Sequence, residues 1–140
     1  MKTAYASLAA ALFLTGCWGA PPNEALLKDG CNTLFAGDPE ISRQLLAEGV
    51  TGGVSGFCSC YAALTVTQPE KIDLHKDVLN AINTTRAEAG IGVEAAASLI
   101  EEKMETEGAF DTFTAAQLDS VGDDFQSVAE RMETAGKCPN

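Results

Sequence analysis

Four cysteines in the body of the chain, Cys31, Cys58, Cys60 and Cys138, are the residues whose type and spacing bear most directly on chemistry. Two thiols one residue apart, as in Cys58-Ser59-Cys60, could form a redox couple or hold a soft metal such as copper(I). A redox couple usually sits at a helix start, where the thiol pKa is lowered, and the position just after Ser55 fits that loosely. Either use leaves Cys31 and Cys138 without partners. Two structural disulfides would use all four.

Other candidates for chemistry are thin. His75 is the only histidine, so a Ser-His-Asp set would have to use it, and no Gly-x-Ser-x-Gly elbow exists. If a helix starts near Glu70, His75 shares a face with Val78, Leu79 and Ile82, as a partly buried structural histidine would. The run Gly49-Val50-Thr51-Gly52-Gly53-Val54-Ser55-Gly56 invites a phosphate-loop reading, but it lacks the closing Gly-Lys-Ser/Thr and reads as a flexible loop. Glu101, Glu102, Glu105 and Glu107 could form a cation-binding patch. Their spacing is not that of an EF-hand, and a solvated helix face accounts for them. No catalytic residue, metal or cofactor is expected.

The N-terminus reads as an address. Lys2 precedes an apolar run from Ala4 to Leu14, which is the pattern of a secretory signal. A membrane-spanning helix is the alternative, but Thr15, Gly16, Gly19 and Pro21-Pro22 spoil its second half. Leu14-Thr15-Gly16-Cys17 resembles the lipobox of bacterial lipoproteins. The resemblance implies cleavage after residue 16 and, on Cys17, a thioether-linked diacylglycerol and usually an N-acyl chain such as palmitate. Several chains give stable anchoring where one would not. Ordinary cleavage after Ala20 is the rival, but Pro21 would then follow the cut. In enterobacterial lipoproteins an Asp after the lipidated Cys favours the inner membrane. Trp18 stands there instead, which by analogy implies the outer membrane, facing the periplasm. Residues 17–22 then form a short tether that reaches about 20 Å when extended.

The net charge is -11. Removing residues 1–16 removes Lys2 and no acid, leaving 8 basic and 20 acidic residues and a charge of -12. Such a chain has no cationic surplus to neutralise phosphates, which argues against nucleic acid. It also argues against electrostatic docking on anionic lipid. If charge selects a partner, that partner is basic.

The elements that must position the cysteines are helical. A single domain over residues 23–140 is expected, all-α, a small bundle of five to six short helices. Asn23 can cap a first helix to about Ala36, with Leu26, Leu27, Leu34 and Phe35 apolar. Asp38-Pro39-Glu40 starts a second that Gly49 ends. Ser55 can cap a third, with Phe57, Tyr61 and Leu64 on one face. Thr67 and Glu70 could form the capping box of a fourth, with Asp73 a rival start. Val93, Ala97, Ile100 and Met104 stripe a fifth. Thr114 and Gln117 box the last, with Phe113 and Leu118 as a staple, and Leu118, Val121, Phe125, Val128 and Met132 buried. Gly136 stops it.

At ~100° per residue, Cys58 and Cys60 lie on the two edges of the Phe57/Tyr61/Leu64 face. Each can therefore reach a different neighbour, and an even count in an exported protein implies two disulfides. Which thiol pairs with Cys31 and which with Cys138 stays open. Cys31–Cys58 with Cys60–Cys138 is preferred, because those loops do not interleave. Three functions are compatible with this reading. The first is a non-enzymatic, membrane-anchored helical module in the envelope that binds a protein partner or supports an assembly. The second is a thiol-redox or soft-metal protein using Cys58 and Cys60. The third is an acidic inhibitor of a cationic periplasmic protein.

Overall fold

The computed structural model describes residues 22–36, 38–108 and 110–139. The signal region, Cys17 and the tether as far as Pro21 lie outside the described residues. Among the described residues six helices follow one another: α1 Pro22–Ala36, α2 Pro39–Ala47, α3 Gly53–Thr65, α4 Ile72–Ala89, α5 Val93–Glu107 and α6 Ala115–Ala135. A short 3-10 turn, Pro69–Lys71, leads into α4. Among the described residues there is no strand, and no helix is long and apolar enough to cross a membrane.

Local signals account for several boundaries. The Asp38 carboxylate accepts from the backbone N–H groups of Glu40 and Ile41, and Pro39 occupies the first position of α2. Thr114 and Gln117 form the reciprocal capping box of α6. Gly90 and Gly136 end α4 and α6 in the left-handed conformation.

Other starts differ from expectation. Pro22 opens α1, so Asn23 lies inside the first turn. Gly52, not Ser55, precedes α3. The glycine-rich stretch is thus only partly loop, and its second half is the first turn of α3. Gly56 allows this, because a Cβ there would sit 2.1 Å from the Thr51 carbonyl oxygen. The Thr67–Glu70 box does not form. Pro69 begins a 3-10 turn without a side-chain cap, and the Thr67 hydroxyl donates back to Leu64 instead.

The core lies where α1 packs on α3 and α4, with α5 against α4 and α6 across α3 and α4. Gly30 lets α1 approach Leu79 of α4, whose Cδ1 would lie 3.2 Å from an added Cβ. Two disulfides staple the bundle. Cys31–Cys58 joins α1 to α3 with Cα atoms 5.5 Å apart, and Cys60–Cys138 joins α3 to the C-terminal segment at 5.4 Å. The chain-entropy estimate gives upper bounds of about 3.5 and 4.5 kcal/mol for loops of these lengths. The same segment is tied once more, by the Thr51 hydroxyl donating to the Gly136 carbonyl.

Candidate functional site

Four of the six phenylalanine and tyrosine rings among the described residues are gathered in one place, and Phe110 and Phe113 form a separate pair. Phe35 of α1, Phe57 and Tyr61 of α3 and Phe125 of α6 form a single cluster, with Phe125 stacked on Tyr61 at 4.1 Å between centroids. Helical spacing puts Phe57 and Tyr61 one turn apart on α3.

A polar network leaves this cluster on one side. The Tyr61 hydroxyl lies 2.6 Å from His75 Nδ1, and His75 Nε2 lies 3.0 Å from Asp124 Oδ2. The proton positions follow from chemistry. A carboxylate can only accept, so Nε2 carries the hydrogen, and Nδ1 of the neutral ring accepts from Tyr61. Lys71 Nζ closes the outer end, donating to both Asp124 oxygens at 2.9 and 3.1 Å. Tyr61 and His75 are 0% and 1% exposed. Burial pushes the Tyr61 hydroxyl far above the ordinary phenol range, and the charge of Asp124 adds to this. Burial also holds the His75 imidazole below its usual value, against the opposing pull of its hydrogen bond to Asp124. The inner members are neutral and sealed from solvent. The network's evident work is to lock α6 onto α3 and α4.

On the other side of the cluster the helices part. α6 rests on α3 and α4 and meets α5 lightly, which leaves a cleft between α6 and the walls formed by α1, α2 and α5. Two open cavities of about 780 and 490 Å³ share Phe35, Ile41, Gln44 and Phe125, so they form one groove. Phe125 is therefore half-buried, not enclosed as the stripe on α6 suggests. Leu118, Val121, Val128 and Met132 are buried as expected. On α5, Ala96 and Ile100 are the enclosed residues, while Val93 and Ala97 face the groove. Along its length the groove is edged by carboxylates: Asp119, Asp123, Glu130 and Glu133 on α6, Glu94 and Glu101 on α5, and Glu48 after α2. No Lys or Arg is among the described residues that line it.

The remaining candidates are dispersed. Cys58 and Cys60 are not joined to each other; each is buried and bonded to a different partner. Of the acidic patch, Glu101 lies at the groove, whereas Glu102, Glu105 and Glu107 are exposed on the rest of α5. Among the described residues no group of three or more His, Cys, Asp and Glu is placed to hold a metal ion. His75 shares the buried face of α4 with Val78, Leu79 and Ile82, but its partners Lys71 and Asp124 carry no local sequence signal. Arg86 is likewise unforeseen. From α4 it donates to the Thr33 and Leu34 carbonyls, supplying the cation that the last turn of α1 lacks. No family model matches this chain, and neither the curated proteins nor the solved structures contain a significant match to it.

Proposed function

We propose that this chain is a non-enzymatic lipoprotein of a bacterial envelope, lipidated on Cys17. Its disulfide-stapled helical domain holds a binding groove close to the outer membrane, on the periplasmic face. The observation that carries the reading is the groove: an open cleft with half-buried Phe125 in its wall and carboxylates along both edges. Binding sites are commonly concave, mostly apolar clefts with a few polar groups at the edge, and the groove has that make-up. The polar network supports the same view. It resembles a proton relay in composition, yet Tyr61 and His75 are out of reach of any substrate, so the arrangement holds a wall in place and performs no turnover. The paired cysteines suit an oxidising compartment, and the lipobox supplies the anchor.

Two experiments test this. Intact mass spectrometry of the wild-type chain should find a mature N-terminus at Cys17 with its acyl chains, and Cys17→Ser should abolish both. Cleavage after Ala20 without lipid would refute the anchor. A photo-crosslinking residue at Gln44, in the groove, should give a discrete adduct in cells, while one at Glu88, on the exposed outer side of α4, should not. Equal labelling from both positions, or none from Gln44, would refute the groove as the binding site.

A further inference from the structure

We infer that the groove accepts a basic amphipathic helical segment of a partner protein, laid lengthwise between α6 and the α2/α5 walls. The inference rests on the groove being the binding site and names its occupant. The floor selects for one apolar face: the half-buried Ile41, Val93, Ala97, Phe125 and Ala129 offer apolar surface along the two cavities, over the buried rings of Phe35 and Phe57. The rim selects for cations on both edges. On α6, Asp119, Asp123, Glu130 and Glu133 recur at intervals of 3, 4 or 7 residues, so they form one row. Glu94, Glu101 and Glu48 face them from the other side. Lys or Arg side chains flanking the apolar stripe of a helix would meet both rows. The length also fits. Asp119 to Glu133 covers about 21 Å at ~1.5 Å per residue, the span of a partner helix of roughly 15 residues.

Gly122 is an independent sign of close approach. It sits in the middle of α6, where glycine is the poorest ordinary helix former. It lines the groove, is exposed, and nothing lies within 4 Å of the Cβ it lacks. The bundle itself therefore gives no packing reason for it. A missing side chain at the lip of a groove leaves room for another backbone to come near.

The test uses the mature lipidated chain in zwitterionic nanodiscs, with empty discs subtracted. The probe is a labelled synthetic helix of about 15 residues with Leu on one face and Lys on its flanks, read by fluorescence anisotropy. A matched peptide carrying Glu in place of Lys is the control. The Lys peptide should bind saturably in the micromolar range. Binding should fall about tenfold or more for the Glu peptide, and for the Lys peptide when salt rises from about 50 mM to about 0.5 M. The combined variant Asp119→Asn, Asp123→Asn, Glu130→Gln, Glu133→Gln should weaken it similarly. Gly122→Leu, which projects a side chain into the groove without touching the core, should abolish binding with an unchanged circular dichroism spectrum. Equal binding of both peptides, wild-type binding by Gly122→Leu or by the neutralised row, or self-association that the Lys peptide cannot disrupt would overturn the inference. A crosslinked partner from Gln44 together with failure of the Lys peptide would remove this inference and leave the groove. No adduct from Gln44 would remove both.

Discussion

Replacing Asp124 by Ala separates the parts of the polar network cleanly. The substitution removes the acceptor that the described residues offer the His75 Nε2–H, and the counter-ion of Lys71. The Lys71 pair is about one-third exposed on both sides, and pairs of that kind are worth at most about 0.5 kcal/mol. His75 is different, because its ring is 1% exposed. A buried donor left without an acceptor costs about 1–3 kcal/mol. The total is therefore about 2 kcal/mol, nearly all of it from the histidine. Asp124→Asn keeps a carbonyl acceptor in place and should cost about half as much. The pH dependence has a definite sign. Burial depresses the folded-state value of His75 below its unfolded value of 6.5. Below that value the unfolded chain binds the proton first, so this contribution to stability is complete above pH 6.5 and is lost as pH falls through the depressed value. Losing the carboxylate, which pulls the imidazole upward, should depress it further. The variants' deficit should then widen on acidification. Urea unfolding at pH 7.5 and 5.5 measures the energies. Because the chain has a single histidine, one imidazole resonance reports its titration without assignment. An Asp124→Ala protein within about 0.5 kcal/mol of wild type, or a His75 titrating at or above its unfolded value in the wild type, would refute the reasoning.

Three further outcomes follow from the packing. Phe125→Ala should cost about 2–3 kcal/mol by urea unfolding, less than a fully enclosed phenylalanine, because one face of the ring is open to the groove. Unreduced protein should contain no titratable thiol. Cys60→Ser should expose one, located on Cys138 by peptide mapping, and should lower stability by no more than about 4.5 kcal/mol; a Cys58–Cys60 bond in the wild type would contradict the pairing. Gly56→Ala should destabilise by about 2 kcal/mol or more, since the Thr51 carbonyl cannot yield without opening the turn before α3; a melting temperature equal to wild type would show that the turn is loose.

What was legible in the sequence was local. Asp38-Pro39 and Thr114-Gln117 specify helix starts within four residues, so no tertiary knowledge is needed to read them. The disulfide pairing was legible in part: opposite edges of one helical face give Cys58 and Cys60 different partners, while the choice between Cys31 and Cys138 rested only on a preference for loops that do not interleave, which the observed pairs match. The network was not legible, because Asp124 is 49 residues from His75 and 53 from Lys71. Nothing in a window around any of the three marks it. Arg86 was missed on the same grounds, reaching carbonyls 52 and 53 residues away. The Thr67–Glu70 box was a true local pattern that lost to Pro69, which holds the chain in a 3-10 turn instead.

Phe125 is the informative departure from the α6 pattern. Its 3-4-3-4 stripe identifies the residues of α6 that face inward, but a stripe does not say whether a neighbour arrives to cover them. At Leu118, Val121, Val128 and Met132 one does. At Phe125 the ring packs on Tyr61, Phe57 and Phe35 and is left open toward the groove. About 100° around the same helix, Asp124 is tied to Lys71 and His75. The helix is therefore held by its polar side while one apolar residue is kept partly free, an arrangement that disulfides, polar network and aromatic cluster together make rigid. Rotating α6 to enclose Phe125 would uncover Leu118, Val121, Val128 or Met132 and break the Asp124 contacts, so the ring stays half-buried. That open ring and the unexplained Gly122 line the same groove, and their coincidence is the physical reason to look there for a partner.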